Sequence, residues 1–404
     1  MNEQKRGVFF LIAVWFLVAF MLYTERGSNR FIILLAIVAL SKQISTRNRI
    51  VIPTSFLPII CFVAYYIFIS ILNGTGIFIV TIKLLLLPFF IQSFIPIGVE
   101  KIEVLIDTLK KVMGLAGIFG IIEYFQHYNP LVNIVKINPV LWLEAMNNTL
   151  VNYRPSSLFL HYTYFAYVML IAFCISLVFP YKNGFKNLLY NSILLISIFL
   201  SQSRIIWVGL VLIFLIKMFT ENTKISKNKF VLRMISIILI SLVFAGVLGN
   251  VIGIIEARFY SIFKFGLVDG SLGQRVGTLV NWFAYLGENI FKGIVGGGYG
   301  STSEYLRNYS YFSGYNTVDS TITTFLVETG IIGSGLFYVG LSSLFYTFLD
   351  TRNKMTKLGL YILIVTFVAS TTIDFLANDV ILYLFYLVLM AILANIQNWR
   401  TSKN

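Results

Sequence analysis

Apolar runs about as long as a membrane-spanning helix recur along the whole chain, and they constrain its fold more than any other feature. Only 12% of the 404 residues are charged, whereas a soluble domain carries about 25%. A helix satisfies its backbone hydrogen bonds internally and needs about 20 apolar residues to cross a bilayer. The sequence therefore predicts an all-α polytopic membrane protein, built as a single membrane-embedded domain over 1–404.

We count twelve apolar segments and predict that each is a transmembrane helix. The seventh and eighth are separated only by the run Ser-Gln-Ser-Arg, which predicts a tight hairpin. The segments cover 8–23, 31–42, 51–72, 76–96, 105–125, 163–180, 187–201, 204–219, 231–252, 320–347, 358–375 and 379–397.

Lysine and arginine residues predict the orientation, because cytoplasmic loops carry an excess of them. With the N-terminus inside, the inner segments hold about twice as many of these residues as the outer ones. Both termini are then cytoplasmic, and most of the net charge of +14 is ordinary loop bias, which makes nucleic acid an unexpected partner. Two outer loops are long. They are 126–162 and, between the ninth and tenth helices, 253–318, for which we expect short helices.

Residues that bind metals are too few and too dispersed to predict a metal site. Cys61 and Cys174 lie inside apolar runs, which also argues against a disulfide. We interpret the two histidines, His127 and His161, as interfacial or packing residues. The sequence therefore predicts neither a metal nor a cofactor.

Three arginines on the predicted outer face are candidates for binding phosphate, since a guanidinium fork matches two phosphate oxygens at once. Arg204 ends the Ser-Gln-Ser-Arg turn, Arg275 opens an amphipathic helix, and Arg154 lies just before the sixth span. The alternative is that they anchor helix ends at the membrane interface or are exposed loop charges. Position alone does not separate these two interpretations.

Asp319 stands where the long loop 253–318 meets the tenth span. It is a candidate general base, or a residue that orients an attacking hydroxyl, with a helix N-cap as the alternative. We interpret Glu328, further along the same span, as a buried, hydrogen-bonded structural carboxyl.

We interpret the other charged residues in or near the spans as structural rather than catalytic. We expect the long stem of Lys83 to carry its ammonium group to the outer interface. Glu123 is expected to pair with a neighbouring cation, and Asp374 and Asp379 to be solvated at helix ends.

A glycine-rich run, Gly-Ile-Val-Gly-Gly-Gly-Tyr-Gly, ends at Gly300. We interpret it as a tight turn rather than a cradle for a lipid pyrophosphate, and it lacks the Lys-Ser/Thr of a P-loop. Tyrosines cluster in and after it. Tyr299, Tyr305 and Tyr315 are candidates for stacking on sugars, with interfacial anchoring as the alternative.

Together these motifs resemble the O-antigen ligase and O-antigen polymerase superfamily, over roughly 150–335. The likeness rests on Arg275 with Trp282, on Phe-Lys-Gly-Ile-Val-Gly-Gly-Gly-Tyr-Gly, and on Asp-Ser followed by Glu-Thr-Gly-Ile-Ile-Gly. Ser-Gln-Ser-Arg-Ile-Ile-Trp resembles the family's hairpin motif. Arg-Pro-Ser-Ser-Leu-Phe resembles, more loosely, its Arg-x-Ser-Gly-x-Phe segment.

The chain departs from the family pattern at three places. Ser157 and Tyr162 stand where glycine and proline are expected, and Asp319-Ser320 replaces the family's His-Asn. The ligases of the family are associated with that histidine. Its replacement favours the polymerase branch.

The resemblance implies a GT-C-like, metal-independent glycosyltransferase of the bacterial cytoplasmic membrane that polymerises O-antigen, capsule or exopolysaccharide. It would transfer a growing glycan from undecaprenyl pyrophosphate to a lipid-linked repeat unit at the outer face. Arg204 and Arg275 are expected to hold the pyrophosphate, assisted by Arg154, and Asp319 to act on the acceptor. The implied partners are the bilayer, undecaprenyl-pyrophosphate-linked oligosaccharides, a flippase and a chain-length regulator.

Three alternatives stay open. They are a ligase or other glycan transferase of the same superfamily, a flippase or transporter for lipid-linked oligosaccharides, and a membrane scaffold. The candidate residues lie almost entirely on the predicted outer face, and the spans are poor in charge. Both features favour an outward-facing enzyme.

Overall fold

The computed structural model describes residues 3–22, 35, 37–38, 54–95, 99–134, 153–159, 161–220, 270–312, 318–349 and 353–401, and these contain helices and turns but no strand. In chain order the helices are α1 (Glu3–Leu22), α2 (Leu57–Leu72, after a 3-10 turn at Thr54–Phe56), α3 (Ile77–Phe94, with a π-helical turn at Ile82–Leu86), α4 (Val99–Gln126), α5 (Leu131–Ile134), α6 (Tyr162–Val178), α7 (Gly184–Leu200), α8 (Arg204–Thr220), α9 (Gly270–Glu288), α10 (Ile290–Val295), α11 (Ser301–Tyr309), α12 (Thr321–Phe348), α13 (Lys354–Ser370) and α14 (Asp379–Thr401).

The predicted apolar segments are helical over most of the length that the structure describes, and α5 and α9 to α11 lie in the two predicted outer loops. Four stretches in the described ranges are long and apolar enough to cross a membrane: Thr54–Leu72, Ile77–Phe94, Thr321–Phe348 and Asp379–Ile396. The protein is therefore a helical membrane protein. The segment 231–252, and most of 31–42, lie outside the described residues, so the count of twelve spans stays a prediction.

The chain divides into two compact units. Unit 1 comprises Met1–Ile102, Ser261–Asp350 and Ser370–Asn404, and unit 2 comprises Glu103–Tyr260 and Thr351–Ala369. The prediction of one membrane-embedded domain over 1–404 stays a prediction.

Aromatic packing holds the centre of unit 1 together. The ring centre of Phe62 on α2 lies 5.0 Å from that of Phe325 on α12, and the two rings meet edge-on. The ring centre of Phe325 also lies 4.7 Å from that of Phe337 on the same helix. Two long-range hydrogen bonds fix α1 to α14: Trp15 donates to the carbonyl of Val380, and Tyr383 donates to that of Leu11. The long α12 thus lies in a packed core. The loop that precedes α12 is therefore anchored where it joins this helix.

The glycine-rich run folds as a turn against a kink in α12, as predicted. Gly330 interrupts α12 with φ 65° and ψ −171°, and a side chain there would collide with the carbonyl of Ile294. Gly296 has φ 107° and would place a Cβ 2.5 Å from the carbonyl of Glu328. The amides of Gly297 and Gly298 donate to the carbonyls of Val327 and Glu328, at 3.0 and 2.9 Å. Because both amides already donate to backbone carbonyls, they are not available to bind a phosphate.

Replacing Gly330 by alanine is therefore expected to destabilise the protein by about 3 kcal/mol, because the new methyl group meets backbone and the positive φ favours glycine. Thermal unfolding in detergent measures the change. Gly335→Ala on the same helix is the control, since a Cβ there meets nothing within 4 Å. Equal melting temperatures for the two variants would contradict the close approach of the Ile294 carbonyl to Gly330.

Unit 2 is built around α6, whose residues from Phe165 to Ile175 are at most 1% exposed. The Tyr167 hydroxyl lies 2.8 Å from that of Thr366, which joins α6 to α13. The hairpin between α7 and α8 is as tight as the sequence predicts, because α7 ends at Leu200 and α8 begins at Arg204. Trp207 closes it by donating to the carbonyl of Ile198 at 3.2 Å.

Candidate functional site

A short loop before α6 in unit 2, Tyr153–Phe159, is held by one buried carboxylate. Glu123 is 1% exposed, and its Oε1 accepts from the Tyr153 hydroxyl at 2.9 Å and from the amide of Ser156 at 3.1 Å. Its Oε2 accepts from the amide of Ser157 at 2.6 Å. The expected pairing of Glu123 with a cation is wrong: the carboxylate organises a loop instead.

Further contacts fix the middle of this loop. The Asn129 amide donates to the Ser157 carbonyl at 2.8 Å, and the Ser157 hydroxyl donates to the Ala116 carbonyl at 2.7 Å. Ser157 has φ 52°, a left-handed conformation that favours glycine. This is the position at which the family motif has glycine.

The loop presents Arg154 next to Arg204, which comes from the α7–α8 hairpin. Arg154 is 5% exposed, and its guanidinium lies over the Tyr162 ring, 3.8 Å from the ring centre. Burial lowers the pKa of Arg154, contact with Tyr162 raises it, and the positive charge of Arg204 lowers it again. Arg154 and Arg204 are 50 residues apart in sequence, yet each lies close in sequence to one member of a hydrogen-bonded pair, Tyr153 and Gln202.

The hairpin turn that carries Arg204 is itself buried. Ser201, Gln202 and Ser203 are 0%, 6% and 4% exposed, and Gln202 adopts a left-handed φ of 55°. Its side-chain amide donates to the carbonyl of Tyr153 at 3.5 Å, which links the turn to the loop. Two rigid segments therefore converge to hold two positive charges together. A doubly charged anion is the chemistry that such a pair favours.

In unit 1 the structure brings Arg275 and Asp319 together. Arg275 Nη2 lies 4.0 Å from Asp319 Oδ2, with 19% and 43% of the side chains exposed. Asp319 has φ 50°. The N-cap of α12 is Ser320, whose hydroxyl accepts from the amide of Thr323, so the alternative of Asp319 as N-cap is wrong. Its half-exposed carboxylate is available for another role.

The position of Asp319 is set by the turn before α14. The Thr321 hydroxyl donates to the carbonyl of Ile373 at 2.6 Å and accepts from the amide of Phe375 at 3.0 Å. Two residues in this region were expected to be exposed and are not. Lys83 is 7% and Asp379 2% exposed, and they form a buried ion pair of 2.9 Å.

Lys83 also donates to the carbonyl of Leu376 at 2.6 Å, so its ammonium group is buried against the turn before α14. Asp374 accepts from the Thr324 hydroxyl at 2.9 Å and from the amide of Leu376 at 3.0 Å, and it is partly exposed. The expected solvation of Asp379 at a helix end is wrong. The sequence shows Lys83 as a charged residue inside an apolar run, but it does not show that Asp379 is its partner.

The three candidate tyrosines have different positions. Tyr305 is 2% exposed, donates to the carbonyl of Thr278 and stacks on Tyr309 at 5.3 Å, so its ring has a packing role rather than an open face for a sugar. Tyr299 is partly buried beside Val80 and Leu84, and burial raises its pKa. Tyr315 lies outside the described residues.

Glu328 is a buried structural carboxyl, as predicted. It is 2% exposed, and its Oε1 accepts from the amide of Gly300 and the hydroxyl of Thr302, both at 2.8 Å. Its Oε2 accepts from the Tyr66 hydroxyl. One side chain therefore joins α2, the glycine turn and α12.

We expect Glu328→Gln to retain activity within about threefold, because the amide oxygen can accept the same two bonds and the Tyr66 hydroxyl can turn to accept the amide. Glu328→Ala should lower stability by about 1–3 kcal/mol, since buried donors lose their acceptor. Melting temperature, and the rate of the glycan transfer that the family resemblance implies, are measured for both. An inactive Glu328→Gln variant that melts like the wild type would indicate a chemical role instead.

Within the part of the chain that the structure describes, no group of three or more His, Cys, Asp or Glu side chains could hold a metal ion. The site residues are instead two arginines in unit 2 and an arginine–aspartate pair in unit 1. Comparison of the sequence with models of known protein families and with curated proteins finds no match.

Proposed function

We propose that this protein is a glycosyltransferase that polymerises lipid-linked oligosaccharides at the outer face of the bacterial cytoplasmic membrane. The observation that carries the proposal is the hydrogen bond from Gln202 to the carbonyl of Tyr153, which joins the buried segments that hold Arg204 and Arg154. Two neighbouring guanidinium groups favour an anion with two charges, and the pyrophosphate of a lipid-linked glycan is such an anion. The left-handed backbone at Ser157 supports the family resemblance independently.

The proposed reaction needs three events. The bond between the anomeric carbon of the growing glycan and the pyrophosphate oxygen breaks, and both electrons leave with the polyprenyl pyrophosphate. A hydroxyl oxygen of the acceptor repeat unit forms the new bond to that carbon. The proton of the hydroxyl passes to a general base, and Asp319 is the candidate that the family resemblance offers for this role.

Each proposed role follows from charge. Arg154 and Arg204 stabilise the charge that develops on the departing pyrophosphate, which is the largest need of such a transfer. Arg275, whose Nη2 lies 4.0 Å from Asp319 Oδ2, orients this carboxylate as the proton acceptor. A GT-C-like arrangement of twelve spans with both termini inside, and cooperation with a flippase and a chain-length regulator, belong to this proposal.

The test is reconstitution of the purified protein into liposomes with undecaprenyl-pyrophosphate-linked repeat units. The proposal expects a ladder of longer lipid-linked glycans, and no ladder with the isosteric Asp319→Asn variant. Transfer of the repeat units across the bilayer without lengthening would identify a flippase. A single transfer to a different lipid acceptor would identify a ligase, and either result would overturn the proposal.

A further inference from the structure

Helix α9 in unit 1 turns its polar side inward. Gln274 and Thr278 are 1% and 0% exposed. Gln274 donates to the Ser310 hydroxyl at 2.9 Å and accepts from the amide of Phe312 at 3.0 Å. Asn281 donates to the carbonyl of Tyr309 at 2.8 Å. The amides of this helix face therefore bind the segment after α11.

The opposite side of α9 is apolar and exposed. Val276, Val280 and Phe283 are 37%, 56% and 68% exposed, and they follow one another at intervals of four and three residues. The stripe continues on α10, where Ile290, Phe291 and Ile294 are exposed. A helix surrounded by water would carry polar side chains on this outer side.

Two contacts hold α10 against α2 and α12, which are candidate membrane spans of unit 1. The Tyr65 hydroxyl, two turns before the end of α2, donates to the carbonyl of Val295 at 2.7 Å. The carbonyl of Ile294 lies against Gly330 in α12. The stripe is thereby continuous with the exposed Ile331 and Ile332, which are 47% and 45% exposed on α12.

From this continuity we infer that the apolar stripe of α9 and α10 lies in the hydrocarbon of the outer leaflet. The segment is then an interfacial helix pair immersed in lipid rather than a lid in water, although the sequence places it in a long outer loop. Lys292 fits this arrangement, because its ammonium group turns away to pair with Glu304 at 3.7 Å. The inference requires a membrane-embedded protein but does not depend on the proposed glycosyltransferase activity.

Spin labelling of the full-length protein in liposomes tests the inference. In a background with Cys61→Ser and Cys174→Ala, a nitroxide is attached in turn at Val280→Cys, Phe283→Cys and Phe291→Cys. Collision with oxygen, which concentrates in hydrocarbon, is compared with collision with a water-soluble nickel chelate. Val339→Cys on α12 provides the lipid reference, and Asn308→Cys on α11 the aqueous reference.

The inference expects an oxygen-to-nickel collision ratio at the three sites that is at least about tenfold above that at Asn308→Cys and close to that at Val339→Cys. A ratio equal to the aqueous reference would overturn it. Dipolar broadening between labels at low protein-to-lipid ratio would also overturn it, because a second copy of the chain would then cover the stripe. Labelled variants are compared only if they elute and melt like the wild type, and Leu279→Cys, a partly buried position of the same helix, supplements any site that fails.

Discussion

Arg204→Ala is expected to lower the rate of glycan polymerisation by about 100-fold or more, with little change in melting temperature. A single donor aimed at developing charge commonly contributes about 100–1000-fold to an enzymatic rate. In the proposed mechanism Arg154 and Arg204 both act on the departing pyrophosphate. Because Arg204 is only partly buried and begins a helix, its removal leaves the packing of α8 in place.

The rate of lipid-linked glycan lengthening in liposomes measures this effect. Arg204→Lys should also be impaired, by about tenfold or more, because an ammonium group cannot bind two phosphate oxygens in a fork. Arg307→Ala is the matched control, since Arg307 is exposed in the last turn of α11. Full activity of Arg204→Ala in folded protein would remove Arg204 from the pyrophosphate site.

The second large effect concerns stability. Lys83→Met is expected to destabilise the protein by about 3–5 kcal/mol, because it leaves the carboxylate of Asp379 buried without its cation. The double variant Lys83→Met/Asp379→Asn should recover at least half of the loss, since the uncompensated charge is gone.

Thermal unfolding in detergent of the two single variants and the double variant gives this comparison. Activity should follow stability, because the turn at Leu376 that Lys83 holds also fixes the start of α12 and thereby Asp319. Asp107→Asn, a change at a carboxylate of α4 in unit 2, is the control for loss of an acidic group. A double variant no more stable than Lys83→Met would show that the ion pair is not the source of the effect.

The sequence predicted helices well because a long apolar run has few other solutions in a membrane. The α7–α8 hairpin, the glycine turn and the buried Glu328 were all evident from local spacing. The partners of buried charges were not. Lys83 bonds a carbonyl 293 residues away, and no local pattern contains that information.

The candidate site was predicted in the same uneven way. Arg154 and Arg204 were singled out separately as outer-face cations, yet their proximity depends on Glu123 holding a loop, which the sequence did not show. For Asp319 the sequence left a functional role and an N-cap open, and the N-cap of α12 is Ser320. Tyr305 was expected to stack on sugars but packs inside the fold, because the sequence alone does not distinguish a buried aromatic residue of a loop from an exposed one.

The most direct test of glycan transfer from a lipid pyrophosphate is the stoichiometry of the leaving group. Liposomes containing the purified protein and lipid-linked repeat units are sampled over time, and both new glycosidic bonds and free undecaprenyl pyrophosphate are quantified. The account predicts one undecaprenyl pyrophosphate released for each bond formed, with both quantities lost together in Arg204→Ala. Glycan lengthening without this release, or no lengthening by folded protein, would contradict it.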